Sequence, residues 1–183
     1  DVLGSRGLGD VYKRQNHTIC NLYVDNVTNK TNIKGNYYGG LFYVLNGTVK
    51  DLTIDGATVT CFRGAALIGR LDAGLVENCH VKNARIYSEQ KAGGLAGYVN
   101  NSSQDLIIRG CSASDITLDK LSSMDEAYMM GGFIGYLQSY ERNTLIENNS
   151  VSNIAINYIY TSPDEVTDKV CLLYTSPSPR DPK

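Results

Sequence analysis

Much of what would mark an enzyme, a metal protein or a nucleic-acid binder is missing from these 183 residues. There are two histidines, His17 and His80, and no His-Glu-x-x-His run. The five cysteines, Cys20, Cys61, Cys79, Cys111 and Cys171, form no CxxC pair and have no histidine at ligand spacing, which argues against a zinc site. The formal charge of −2 supplies no positive field, so neither nucleic acid nor an anionic membrane is expected as the main partner. No apolar run approaches the roughly 20 residues that cross a bilayer, and no charged, then apolar, then small-residue leader opens the chain. What is present is a 42% hydrophobic composition, enough for one domain with a real core.

The two ends do not resemble the middle. Gly7-Leu-Gly-Asp10 with Lys13-Arg14 invites a phosphate-loop reading, but such a loop needs a preceding strand and a closing Gly-Lys-Ser/Thr, and both are missing. Codons can be chosen for Ser5 to Gln15 whose reverse complement, read one base in, translates as Cys171 to Arg180. The nucleotide string that does this resembles a transposase-type sequencing-library adapter. Residues 1–15 and 171–183 are therefore expected to be translated adapter and are set aside from fold reasoning. Residues 16–170 are then part of a repeat domain whose gene continues beyond both ends, and Cys171 is no cysteine of the natural protein.

Within 16–170 one segment recurs four times: GGLFYVL at Gly39, AALIGRL at Ala65, GGLAGYV at Gly93 and GGFIGYL at Gly131. A second segment follows each, starting at Val49, Val76, Ile108 and Ile146, so the period is about 27 to 38 residues, in the range of solenoids. An earlier copy of the second segment starts at Ile19. Its apolar positions form columns: Ile19, Val49, Val76, Ile108, Ile146; Leu22, Leu52, Cys79, Cys111; Val24, Ile54, Val81, Ala113, Val151; Val27, Ala57, Ala84, Ile116, Ile154; and Val59, Ile86, Leu118, Ile156. A spacing near two with a break means short strands joined by corners. Asn26, Gly56, Asn83, Asp115 and Asn153 share one corner column, and these residue types tolerate a left-handed backbone. Lys50, Glu77, Arg109 and Glu147 share an outer column in which the signs alternate, as parallel stacking would favour. The fold expected is all-β, a parallel, right-handed β-helix solenoid of about five coils. A β-propeller would need blades of four antiparallel strands, and no WD-like signature occurs.

Gly94-Leu95-Ala96-Gly97, with Ala66-Leu67-Ile68-Gly69 and Gly132-Phe133-Ile134-Gly135 beside it, resembles the GLUG motif, and the resemblance covers most of residues 39–156. In the first copy Tyr43 replaces the second glycine. GLUG repeats occur in bacterial surface proteins, among them adhesins and the noncatalytic region of immunoglobulin A-cleaving metallopeptidases. The resemblance implies an extracellular, surface-anchored parent whose signal and anchor lie outside this chain.

Candidate chemistry is sparse. His80 is expected to point outward beside Cys79, while Cys79 and Cys111 share an inward column within disulfide reach. Asp51, Asp55, Asp105, Asp115, Asp119, Asp125 and Glu126 would form a calcium-assisted lyase site only if three or four of them converged with a Lys or Arg base. Asp25 and Asp55 are expected to stack, but Lys82 follows them and neutralises the cluster. The insertion from Asp119 to Met130 is the natural place for a specific loop. The best binding candidate is the outer column Val44, Arg70, Tyr98, Tyr136: Arg70 would not be buried unpaired, so the column should face solvent with the tyrosines about 4.8 Å apart. Arg70, Tyr98 and Tyr136 would suit weak contact with a sugar ring, unless the two rings merely cover each other. The expected function is a noncatalytic stalk or adhesive surface for a host or microbial glycan or surface protein, with no cofactor, no nucleic acid and no membrane insertion. The alternative is a carbohydrate-active β-helix enzyme, a polysaccharide lyase or hydrolase.

Overall fold

The computed structural model describes residues 17–27, 37–101, 104–121, 129–140 and 142–157, with the backbone of 169–170. The terminal segments 1–15 and 171–183, and Asp125 and Glu126 of the insertion, lie outside the described residues. The strands in chain order are β1 (His17–Asp25), β2 (Tyr38–Gly39), β3 (Phe42–Lys50), β4 (Leu52–Gly64), β5 (Ile68–Glu77), β6 (His80–Gly93), β7 (Ala96–Asn101), β8 (Leu106–Arg109), β9 (Ser112–Lys120), β10 (Met129–Gly131), β11 (Ile134–Ser139), β12 (Thr144–Glu147), β13 (Ser150–Asn157) and β14 (Lys169–Val170).

The described chain is all-β, and its strand pairs are parallel in two curled sheets, an arrangement compatible with a β-helix. One sheet runs β1-β4-β6, continues from β6 to β9 and β13, and takes β2, β10 and β14 at its far end. In the other, β5 carries β3 on one side; on its other side β7 then β11 continue from its first half, and β8 then β12 from its second. Each strand thus lies on its own copy in the next repeat. Val59↔Ile86↔Leu118↔Ile156 and Ala57↔Ala84↔Ile116↔Ile154 are paired directly, as the sequence columns require. These columns line one continuous core: Ile54, Val59, Val81, Ile86 and Leu118 are fully buried, while the members from β1 and β13, at the ends of the stack, are half-buried.

Corners come in two columns rather than one. Gly56, Asn83, Asp115 and Asn153 have φ of 77°, 56°, 55° and 51°, and five residues earlier Asp51, Asn78, Gly110 and Asn148 have φ of 54°, 52°, 63° and 54°. Only Gly, Asn and Asp enter this left-handed region cheaply, so the recurrence of these types fixes both bends. The five-residue spacing also explains where the first repeat departs from expectation. The structure pairs Ile19 with Ile54, Leu22 with Ala57 and Val24 with Val59, five residues beyond the register read from sequence. The left-handed residue in that repeat is Asn21 (φ 54°), not Asn26. The apolar spacing Ile19, Leu22, Val24 fits Val49, Leu52, Ile54 and Ile54, Ala57, Val59 equally well, so the pattern alone is degenerate under a five-residue slip. Asp25 accordingly pairs with Thr60, and it is Cys20 that lies against Asp55.

The repeated glycines permit close backbone approach. A Cβ on Gly97 would stand 2.4 Å from Gly64 Cα, and one on Gly135 2.6 Å from the Ala92 carbonyl carbon, so the turn between the sheets presses on the backbone of the preceding repeat. Tyr43 occupies this column in the first repeat, where it is 48% exposed.

Candidate functional site

Two columns meet across the glycine turns, and every member but the buried Tyr38 reaches the surface. One is Val44↔Arg70↔Tyr98↔Tyr136, on β3, β5, β7 and β11. The other is Tyr38↔Arg63↔Lys91↔Met129, on β2, β4, β6 and β10. Arg70, Tyr98 and Tyr136 are each half-buried, while Val44 is exposed. The Tyr98 and Tyr136 rings stack with centroids 5.6 Å apart and planes 20° apart, and Tyr38 joins them at 6.2 Å and 11° from Tyr98. The faces between the rings therefore cover one another. What this stack offers a ligand is ring edges, which carry the positive side of the aromatic quadrupole, and phenol groups.

Cations surround the stack. Arg70 Cζ lies 5.7 and 5.8 Å from the Tyr38 and Tyr98 centroids, while Arg70 Nε pairs with Asp72 Oδ1 at 2.6 Å. That carboxylate raises the Arg70 pKa further. Arg63 Cζ lies 5.9 Å from the Tyr98 centroid, and its Nε donates to Gln90 Oε1. Lys91 Nζ is closest, 4.0 Å from the Tyr136 centroid and 4.5 Å from that of Tyr98, within cation–π range of both. Burial, and then the neighbouring Arg63 charge, push Lys91 down to about 8. Burial, with Tyr38 next, pushes Tyr98 up, and its hydroxyl donates to Gln138 Oε1 at 2.8 Å. The column Tyr38, Arg63, Lys91, Met129 was overlooked in the sequence because no residue type recurs in it. Its one signal is position, immediately before Gly39, Gly64 and Ala92-Gly93.

Elsewhere the charges answer each other. Glu77 accepts Lys50 Nζ at 2.7 Å and Arg109 Nη2 at 2.5 Å, and both contacts hold its carboxyl below the usual range. Asparagine side chains donate one repeat away to Asp51, Asp55, Asp115 and Asp119, from Asn78, Asn83, Asn153 and Asn157, and Lys82 pairs with Asp55 at 2.9 Å. Asp105 lies against Asn143. The described acids Asp51, Asp55, Glu77, Asp105, Asp115 and Asp119 are thus spread along the stack, each on its own partner. Among the described residues no group of three His, Cys, Asp or Glu side chains is placed to hold a metal.

One pair was not foreseen: His80 Nδ1 lies 2.8 Å from Ser112 Oγ, because β6 and β9 set these residues side by side. A nucleophile site would also need a carboxylate orienting the ring, and no described carboxylate hydrogen-bonds His80. Cys79 and Cys111 stack inside as free thiols, with Cys79 N donating to Cys111 Sγ at 3.4 Å. Their mutual hydrogen bond lowers the Cys79 pKa and raises that of Cys111. A shallow groove of 460 Å³ follows the corner column of Gly56, Asn83 and Asp115, lined among others by Asn21, Tyr23, Thr58, Arg85 and Thr117. Its lone aromatic, Tyr23, is 70% exposed, and its cation Arg85 is held by Asp119 at 2.6 Å.

No family model, curated protein or solved structure matches this chain in comparison searches.

Proposed function

We propose that this chain is a noncatalytic repeat segment of an extracellular bacterial surface protein, a right-handed parallel β-helix of about five coils that serves as a rigid stalk with an adhesive face. In-register parallel pairing of successive repeats supports the solenoid, and the general right-handedness of parallel crossovers supports its hand. The GLUG-like Gly94-Leu95-Ala96-Gly97 and its copies support the surface setting. The terminal segments 1–15 and 171–183 stand outside this reading as translated adapter.

The adhesive face is the tyrosine seam, with Arg70, Tyr98 and Tyr136 as ligand contacts and a host or microbial glycan as ligand. The observation that carries this is the stacked pair Tyr98 and Tyr136, backed by the buried Tyr38 and ringed by Arg63, Arg70 and Lys91, which gathers aromatic edges, hydroxyls and cations on one half-exposed strip. Elsewhere the observed ion pairs tie charges to partners within the stack. Several weak contacts repeated along a rigid stalk give useful avidity where one would not. The test is a glycan array probed with the natural sequence and with Tyr98→Ala/Tyr136→Ala. The expected result is at least a tenfold loss of binding, about 1.4 kcal/mol, with an unchanged far-ultraviolet circular dichroism spectrum. Retained binding by the double variant would overturn the assignment of the face.

A further inference from the structure

Lys91 differs from five other strand cations. Lys50, Arg70, Lys82, Arg85 and Arg109 all sit in ion pairs at 2.5 to 2.9 Å, whereas Lys91 makes no ion pair among the described residues. Its ammonium is half-withdrawn from water, stands beside Arg63 in the neighbouring repeat, and has aromatic rings as its described partners. Burial and the Arg63 charge both disfavour its protonated form. A methionine would fill the same space without that penalty, and Met129 does occupy the next position of the column. A residue that costs stability where an apolar one would fit is the kind kept for binding. The tyrosine edges beside it have the same polarity as the ammonium, so the strip attracts anions, and its ring edges and hydroxyls suit a pyranose.

We propose that Lys91, Tyr98 and Tyr136 form a subsite for an acidic sugar, a pyranose carrying a carboxylate. The carboxylate meets Lys91 Nζ, and the sugar ring lies against the edges of Tyr98 and Tyr136. This rests on the reading of the seam as a glycan face and narrows its ligand to polysaccharides with uronic-acid units. Arg70 is the weaker anion hook, because Asp72 already neutralises it.

The experiment is calorimetric titration with a hexuronate oligosaccharide and with the same oligosaccharide after its carboxylates are reduced to alcohols. The natural sequence should bind the acidic form at least tenfold more tightly. Lys91→Met should abolish that preference while leaving Tm unchanged or higher, and Lys91→Arg should retain it. Equal binding of both oligosaccharides, or a preference surviving in Lys91→Met, would overturn the acidic-sugar subsite and leave the glycan face standing. No binding of either would overturn the glycan face as well. A large drop in Tm for both Lys91 variants would also overturn the proposal, because Lys91 would then be structural.

Discussion

The corner face and the tyrosine seam are built on the same stacked strands, yet they treat charge in opposite ways. Along the corners, a repeat places Asp51, Asp55, Asp115 or Asp119 where an asparagine of the next repeat can donate to it, and Lys50, Glu77 and Arg109 form a chain of alternating sign. Parallel in-register stacking forces like positions together every 4.8 Å, so a column of one charge would repel itself and the corners avoid that. Across the glycine turns the same stacking brings Arg63 beside Lys91, and rings rather than carboxylates lie against Lys91. The comparison teaches that this fold can neutralise a column of charge, which makes the Lys91 ammonium, set against rings, informative.

The largest expected effect falls on the turn that supports the seam. Gly97→Val would drive a side chain into Gly64 and the backbone around it, and should cost at least ~3 kcal/mol in chemical denaturation, enough to remove the seam with the fold. Next in size is the corner itself. Asn83→Ala keeps a left-handed φ of 56° without the side chain that suits it and leaves Asp55 with Lys82 alone, for an expected loss of about 1–2 kcal/mol with the seam's binding unchanged.

The smallest effects are pH limbs of opposite origin. Glu77 has its folded pKa lowered below 4.5, so its contribution is present above the ordinary carboxylate range and is lost as pH falls through the folded value. Glu77→Gln should flatten that acid limb. Lys91 is a base whose folded pKa is lowered from 10.5 to about 8, so its protonation opposes folding, and stability should rise as pH climbs from about 8 towards 10.5. The titratable groups against it are Arg63 on β4, Tyr98 on β7 and Tyr136 on β11. Lys91→Met should remove the alkaline rise in Tm without touching the acid limb.

In the four glycine-bearing repeats the stacking was legible in the sequence, because Val76, Ile108 and Ile146, or Val59, Ile86 and Leu118, recur at positions where only the core makes such recurrence necessary. The first repeat was not, since a pattern spaced three, two, three, two reads the same after a five-residue slip, and only pairing to β4 decides it. The second left-handed column, Asp51, Asn78, Gly110 and Asn148, escaped for the same reason: Gly, Asn and Asp are common enough in corners that one column satisfied the pattern. Tyr98 and Tyr136 could be placed on neighbouring strands by alignment. Tyr38 and Lys91 could not be placed against them, because the seam joins the end of one sheet to the start of the other, and column position says nothing about which columns meet across a turn. The pairing of His80 with Ser112, 32 residues apart, depends on register alone.

The central claim is that the seam, not the groove along the corners, is the binding face, and an NMR titration with a hexuronate oligosaccharide tests it most directly. The account predicts shifts of the Tyr98 and Tyr136 ring signals and of the Lys91 side chain, with Tyr23, Arg85 and Thr117 unmoved. Shifts confined to Tyr23, Arg85 and Thr117 would contradict it.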